Sequence, residues 1–142
     1  MDQYNLNRFL KAQLAAYEGA MVELAQGRKD SHWIWYIFPQ IVGLGCSDPA
    51  KHYSIKSLEE GRAYLKHPIL GPRLIEACEK LLSLKDVSID EIMGHPDYLK
   101  LLSSMTLFAY ISSENSIFNK VVDVYFEGEW DENSIEIMKA LI

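Results

Sequence analysis

Cysteine is scarce in this chain: Cys46 and Cys78 are the only two among 142 residues. They could form one pair at most, so no disulfide framework holds the fold, and free thiols in a chain of this size point to a reducing, cytoplasmic setting. Long apolar runs are missing as well. No stretch approaches the roughly 18 residues that mark a membrane span. The start, Met1-Asp2-Gln3-Tyr4-Asn5, lacks the basic residues and apolar run of a signal peptide. A soluble, unexported protein with no membrane partner is expected. Positive charge is in the minority, 14 Lys and Arg against 20 Asp and Glu, for a net charge of -6. That balance disfavours the phosphate attraction that supplies most nucleic-acid affinity, so no nucleic-acid partner is expected.

Catalytic and ligand signatures are equally sparse. The chain has no Gly-x-Ser-x-Gly elbow and no Cys-x-x-Cys pair, and Gly43-x-Gly45 has no preceding strand to make it a phosphate loop. The histidines His32, His52, His67 and His95 are not spaced with each other, with Cys or with carboxylates as helical metal sites require. No metal and no cofactor are expected. His67 and His95 each precede a proline, a position suited to an element boundary.

What is present reads as helix. At this length one domain over residues 1–142 is expected, burying roughly two thirds of its unfolded surface. Leu6, Phe9, Leu10, Leu14, Tyr17, Met21 and Leu24 recur at steps of three and four, and Gly27 stops that stripe. Asp48-Pro49 predicts a short helix to about Lys56, and Ser57 with Glu60 is a capping-box spacing that opens another. Leu70 to Leu82 continues as a stripe, Ser88 with Glu91 starts a short helix ended by Gly94, and Pro96-Asp97 starts a longer one through Ala109. Ser116 to Phe126 follows, with Ile117, Val121, Val124 and Tyr125 inward, and Asn133 with Glu136 marks a last cap. The fold class is therefore all-α, a single multi-helix domain of seven or eight helices without substantial sheet.

The unusual stretch is Ser31-His32-Trp33-Ile34-Trp35-Tyr36-Ile37-Phe38-Pro39-Gln40, apolar at every position from Trp33 to Phe38. Periodicity cannot separate strand from helix there, but no second β-rich run exists to pair with a strand, so a helical turn ended by Pro39 is expected. Trp35 and Phe38 then share one side while Trp33 and Tyr36 turn to neighbouring faces, leaving at most two rings for a pocket. Burial at His32 would lower its pKa and let it meet a polar ligand, although a core histidine bonded to a carbonyl is the commoner case. Gln40 can read a base edge or amide, or cap a helix end. Lys100 stands one turn from Ser103 and Ser104, where an amine could activate a hydroxyl, against the more frequent back-bonding of helical Ser and Thr.

These residues lead to one expectation and two alternatives. His32, Trp35, Gln40, Lys100, Ser103 and Thr106 are expected to line one cleft for a small planar or nucleotide-like ligand. Alternatively, the aromatic block and Trp130 form an interaction patch for a partner protein or a homo-oligomer. As an enzyme, the chain would use Lys100 or His32 as general base in a glycosidic or hydrolytic reaction.

The same segments carry a resemblance. Ser31-His32-Trp33-x-Trp35-x-x-Phe38-Pro39-Gln40, Gly43-Leu44-Gly45-x-Ser47, Tyr53, His67-Pro68-x-Leu70-Gly71-x-Arg73-Leu74 and Asp97-x-x-Lys100-x-x-Ser103-Ser104-Met105-Thr106-Leu107-Phe108 resemble the domain-of-unknown-function 1810 family. That family comprises small bacterial helical proteins, some labelled calpastatin. The resemblance spans nearly the whole chain and implies a mainly helical fold with no established reaction. Cys46 departs from it, standing where many members look basic, which argues against an anionic ligand at that loop. A shorter likeness, through Phe9-x-x-Ala12-Gln13 and His67-Pro68-x-Leu70, is to N-glycosidases acting on ADP-ribose-like or riboflavin-precursor substrates. It implies a carboxylate or polarising base beside a sugar, which spacing alone does not single out.

Overall fold

Every buried backbone N–H and C=O needs a partner, and a chain without β-rich runs satisfies that need within helices. The computed structural model describes residues 2–142 and contains, among them, nine helices and no strand. They are α1 (Asn7–Gln26), α2 (Ile34–Ile37), α3 (Asp48–His52), α4 (Leu58–Lys66), α5 (Leu70–Ser83), α6 (Ile89–Met93), α7 (Asp97–Tyr110), α8 (Ile117–Phe126) and α9 (Glu132–Ala140). The all-α expectation holds, and α2, the aromatic block, is a single helical turn. A lone parallel bridge joins Ile41 to Ile55, with the Ile55 amide donating to the Gln40 carbonyl at 2.8 Å and the Val42 amide to the Ile55 carbonyl at 2.9 Å.

Helix α7 is the centre of the molecule. From Ser103 to Ala109 every residue is buried, the mark of a helix surrounded by others rather than one lying on a surface. It packs against α2, α6, α8 and α9, while α5 packs against α1, α4 and α8. Phe9, Tyr64, Phe108 and Phe118 run through this core as successive ring contacts 5.1 to 5.6 Å apart.

Several boundaries fall where the sequence places them. Gly27 closes α1 in the left-handed conformation, and Ser57, Ser88 and Ser116 cap α4, α6 and α8 through their side chains. His67 does more than mark a boundary. Its Nδ1 accepts from the amides of Ile69 and Leu70 at 3.1 and 3.2 Å, capping the start of α5. Gly71 stands where a Cβ would lie 2.1 Å from the Leu65 carbonyl oxygen, so the entry of α5 can cross the end of α4 only with glycine there.

Other expectations need correction. Leu14 is 88% exposed because Gln13 occupies the inward position, its amide donating to the Tyr36 carbonyl at 2.7 Å and accepting from Arg73 at 3.2 Å. A buried polar group with matched partners displaces an apolar neighbour from the stripe. Val124 is likewise 62% exposed, since α8 turns Phe118, Val121 and Val122 to the core. Helix α3, capped by Ser47, stops at His52 rather than near Lys56, where Arg8 takes the His52 and Ser54 carbonyls. The final cap is Asp131, not Asn133, its carboxylate accepting from the Ser134 amide at 3.2 Å.

Arg8 is the main long-range fastener. Its Nε donates to the His52 carbonyl, Nη1 to the Tyr4 and Asn5 carbonyls, and Nη2 to the Ser54 carbonyl and to Glu60, the last at 2.6 Å. The Arg8 and Glu60 side chains are 7% and 3% exposed, so removing one partner strands the other charge in a dry site. Arg8→Ala is expected to lower unfolding free energy by about 3–5 kcal/mol in urea titrations. A loss below about 1 kcal/mol, the range of exposed ion pairs, would mean that the clamp is not buried in solution.

Candidate functional site

The block from Ser31 to Gln40 is held in place by one carboxylate. Glu23, near the end of α1, accepts from the Asp30 amide at 2.7 Å, the Ser31 amide at 2.9 Å, the Ser31 hydroxyl at 2.6 Å and the Trp33 indole Nε1 at 2.9 Å. Burial alone would raise its carboxyl, but the bonds from Ser31, Asp30 and Trp33 outweigh it and hold it down at about 2. Trp33 is thereby buried, 1% exposed.

A second carboxylate ties the block to α7. Asp97 pairs with Lys29 at 2.6 Å and with Lys100 at 3.3 Å. Each lysine lies over a tryptophan, Lys29 at 5.0 Å from the Trp33 ring and Lys100 at 5.0 Å from the Trp35 ring. Two cations, one carboxylate and two indole faces thus form one charge arrangement, in which cation–π contacts add to the ion pairs, more strongly at the buried Lys29 than at the partly exposed Lys100.

Phe38, out of the helical region before Pro39, ends α2, and the Ile41–Ile55 bridge then brings residues 40–42 beside the segment that follows α3. Between them lies a small, partly open compartment of about 10 Å³ lined by Trp35, Gln40, Ile41, Leu44, Gly45, Ala50, Tyr53 and Ser54. It adjoins a hollow of about 310 Å³ lined by Val42, Gly43, Lys51 and Lys56, the two spaces sharing Gly45, Ala50 and Ser54. Gly45 packs tightly on Ala50 in that shared wall, since a Cβ there would meet the Ala50 methyl at 2.6 Å. Lys56 Nζ donates to the carbonyls of Lys51 and Ser54 and to the Ser54 hydroxyl at 3.1, 2.9 and 2.8 Å. Burial, helped by the nearby Arg8 charge, lowers its pKa. Tyr36 stacks on Tyr53 at 5.2 Å behind this wall, and burial followed by Tyr53 raises its phenol.

The six residues singled out in the sequence divide into groups. Trp35 and Gln40 share the compartment, and Lys100 reaches the Trp35 ring. Ser103 and Thr106 are occupied elsewhere. The Ser103 hydroxyl lies 3.1 Å from the Leu99 carbonyl and 3.0 Å from Asp131, while Thr106 donates to the Leu102 carbonyl at 2.8 Å and accepts from the Asp131 amide at 3.0 Å. They fasten the cap of α9 to α7, the back-bonding role weighed above. Lys100 is engaged by Asp97, not by Ser103 or Ser104.

His32 is exposed, contrary to the burial considered for it, and lines a separate hollow of about 270 Å³ with Glu23, Ser31, Trp33 and Tyr36 over Ala15, Ala16 and Gly19. Trp33 is buried beyond the reach of a partner, and Trp130 is half-buried against the core. Tyr53, Ala50 and Ser54 entered no candidate cleft in the sequence, because what gathers them is the bridge between Ile41 and Ile55, a contact with no local signature.

Two buried side-chain polar atoms lack a protein partner among the described residues: Trp35 Nε1 and the Ser104 hydroxyl. Among the described residues, no group of three or more His, Cys, Asp or Glu side chains is placed to hold a metal ion, and no helix is long and apolar enough to cross a membrane.

With this geometry in view, comparison with known proteins is informative. Residues 3–138 match the family described as "Protein of unknown function (DUF1810)". The chain belongs to that family. A solved structure of the conserved hypothetical protein Rv1873 from Mycobacterium tuberculosis is 44% identical, with a TM-score of 0.95 over 97% of this chain and 99% of that one. No curated protein matches. Family membership agrees with the helical fold and brings no reaction with it.

The Glu23 carboxyl yields a pH prediction. Its folded value of about 2 lies below the ordinary 4.5, so its stabilisation is present above about 4.5 and is lost as pH falls towards 2. Glu23→Gln is expected to unfold at lower denaturant than the parent at pH 7 and to show a shallower acid-induced loss between pH 4.5 and 2. Parallel urea titrations across that range measure it, and identical slopes would remove Glu23 from this role.

Proposed function

We propose that this DUF1810 member binds a small planar molecule against the segment from Val42 to Lys56, with Trp35 and Gln40 at the closed end of the site. The observation that carries the reading is Trp35 Nε1, shielded from water, without an acceptor among the described residues, on a side chain that lines the small compartment. Buried N–H groups in folded proteins almost always have partners, and an orphan beside a cavity is accounted for by something that enters it. The adjoining 310 Å³ hollow has the size of a small-ligand pocket and a largely apolar wall of Val42, Gly43, Gly45 and Ala50 with Lys51 and Lys56 at its edge.

The site is narrower than the six-residue cleft expected from the sequence. Trp35 and Gln40 stay in it, Lys100 supports the Trp35 ring from outside, and His32, Ser103 and Thr106 contribute through other contacts. The basic basin next to it, with Arg8, Lys51, His52 and Lys56, is a weaker candidate for an anion. The five N–H groups of Arg8 and three hydrogens of Lys56 are already given to carbonyls, Ser54 and Glu60.

Ala50 borders both spaces, so Ala50→Phe puts a ring where the ligand would sit while leaving the Arg8 clamp residues unchanged. Titrating one- and two-ring heterocycles into isotope-labelled protein is expected to move amide resonances of residues 42–56 saturably, and Ala50→Phe to weaken that binding at least tenfold while remaining folded. A panel that leaves those resonances unmoved would sink the reading.

A further inference from the structure

We propose that the hollow over the middle of α1 is a second ligand site, one that binds a small primary ammonium compound with a compact apolar body at the Glu23 carboxylate. This hollow, of about 270 Å³, shares no lining residue with the two spaces around Ala50, so the inference stands apart from the planar-ligand reading.

The floor is one face of α1, made by Ala15, Ala16, Gly19 and Ala20. Glycine is the poorest helix former after proline, and inside a helix it is usually explained by the close approach of another segment. Gly19 has no such neighbour, since a Cβ built there would meet nothing within 4 Å. Packing therefore gives no reason for glycine at this position, and Gly19 borders the hollow instead. The volume is near the small end of ligand pockets, so the body that lies on the alanines is one ring or a short aliphatic chain.

The polar wall selects the head group. Of the two Glu23 oxygens, Oε1 accepts from Asp30, Ser31 and Trp33, while Oε2 accepts only from the Ser31 hydroxyl and keeps lone-pair capacity. The Ser31 hydroxyl has given its hydrogen to Oε2, and the Tyr36 hydroxyl directs its own to the His32 carbonyl at 3.4 Å, which leaves both oxygens as acceptors. Three accepting oxygens thus belong to residues that line the hollow, and a primary ammonium brings three N–H donors.

Charge agrees with this count. With its carboxyl held down at about 2, Glu23 is ionised throughout the neutral range, yet none of the ion pairs among the described residues includes it. Glu23 and His32 are the only carboxylate and imidazole in the lining, too few to hold a bare metal ion. Trp33 and Tyr36 add aromatic surface of the kind that attracts organic cations.

Phenethylamine and 2-phenylethanol are matched probes, alike in ring and chain, one carrying an ammonium where the other carries a hydroxyl. Titrated into isotope-labelled protein, the amine is expected to move the Gly19 amide and the Trp33 indole N–H resonances saturably. The alcohol is expected to bind at least about tenfold more weakly, the difference made by a hydrogen bond to a charged group. Glu23→Gln keeps the shape of the side chain and removes its charge, and is expected to lower amine affinity at least about tenfold while leaving the alcohol little affected. Gly19→Leu places a side chain in the open space and is expected to abolish binding of both probes, with a thermal midpoint at or above the parent's because leucine is the better helix former. Should either variant not fold, the other variant and the ratio between the two probes in the parent protein decide the matter. Equal binding of amine and alcohol, or no response of the Gly19 and Trp33 resonances to the amine, overturns the site. Amine affinity that survives unchanged in Glu23→Gln or in Gly19→Leu overturns it as well.

Discussion

Arg8 reaches out of the first turn of α1 and spends its five donors on four backbone carbonyls and one carboxylate, those to Ser54 and Glu60 being buried. That concentration of charge-assisted bonds fixes the residues after α3, which would otherwise be an irregular loop with unsatisfied oxygens. Once Ser54 is fixed, Ile55 can bridge to Ile41, and once that bridge exists Gln40 and Trp35 face Ala50 and Tyr53. The wall of the proposed site thus depends on an ion pair whose arginine comes from the first helix.

The same accounting of donors and acceptors separates the residues that hold the fold from those left over. Glu23, Asp97 and Asp131 each accept several bonds and join segments distant in the chain. Ser103, Thr106 and Gln13 are polar groups inside the core with their partners in place. His67 and Gly71 serve the junction of α4 and α5. Most of the chain's distinctive polar side chains are therefore explained by architecture, and the functional question contracts to the few atoms that architecture leaves unmatched.

How much of this could be read from the sequence follows from the range of each interaction. Helices and their serine caps depend on residues within one turn, and Ser57, Ser88 and Ser116 were accordingly legible. The single turn of α2 was legible from the absence of a pairing partner. Leu14 and Val124 misled because apolar periodicity does not reveal which of two adjacent stripes meets the core, and Gln13 took the inward place through partners 23 and 60 residues away. Of the candidate site, Trp35 and Gln40 were legible as polar and aromatic groups that core packing did not account for. Ser103 and Thr106 looked similar, but Asp131, 28 and 25 residues further on, consumes them. Tyr53 and Ala50 join the site through a bridge that no local pattern announces.

The two thiols differ in a useful way. Cys78 lies wholly inside the core with its pKa raised by burial, whereas Cys46 is exposed and follows Gly45 directly. Reagents that modify sulfur will therefore discriminate between them without any engineering. A fluorophore carried by Cys46 would hang beside the partition while occupying none of the positions that border either space, turning the natural chain into its own sensor of how the 43–47 loop moves.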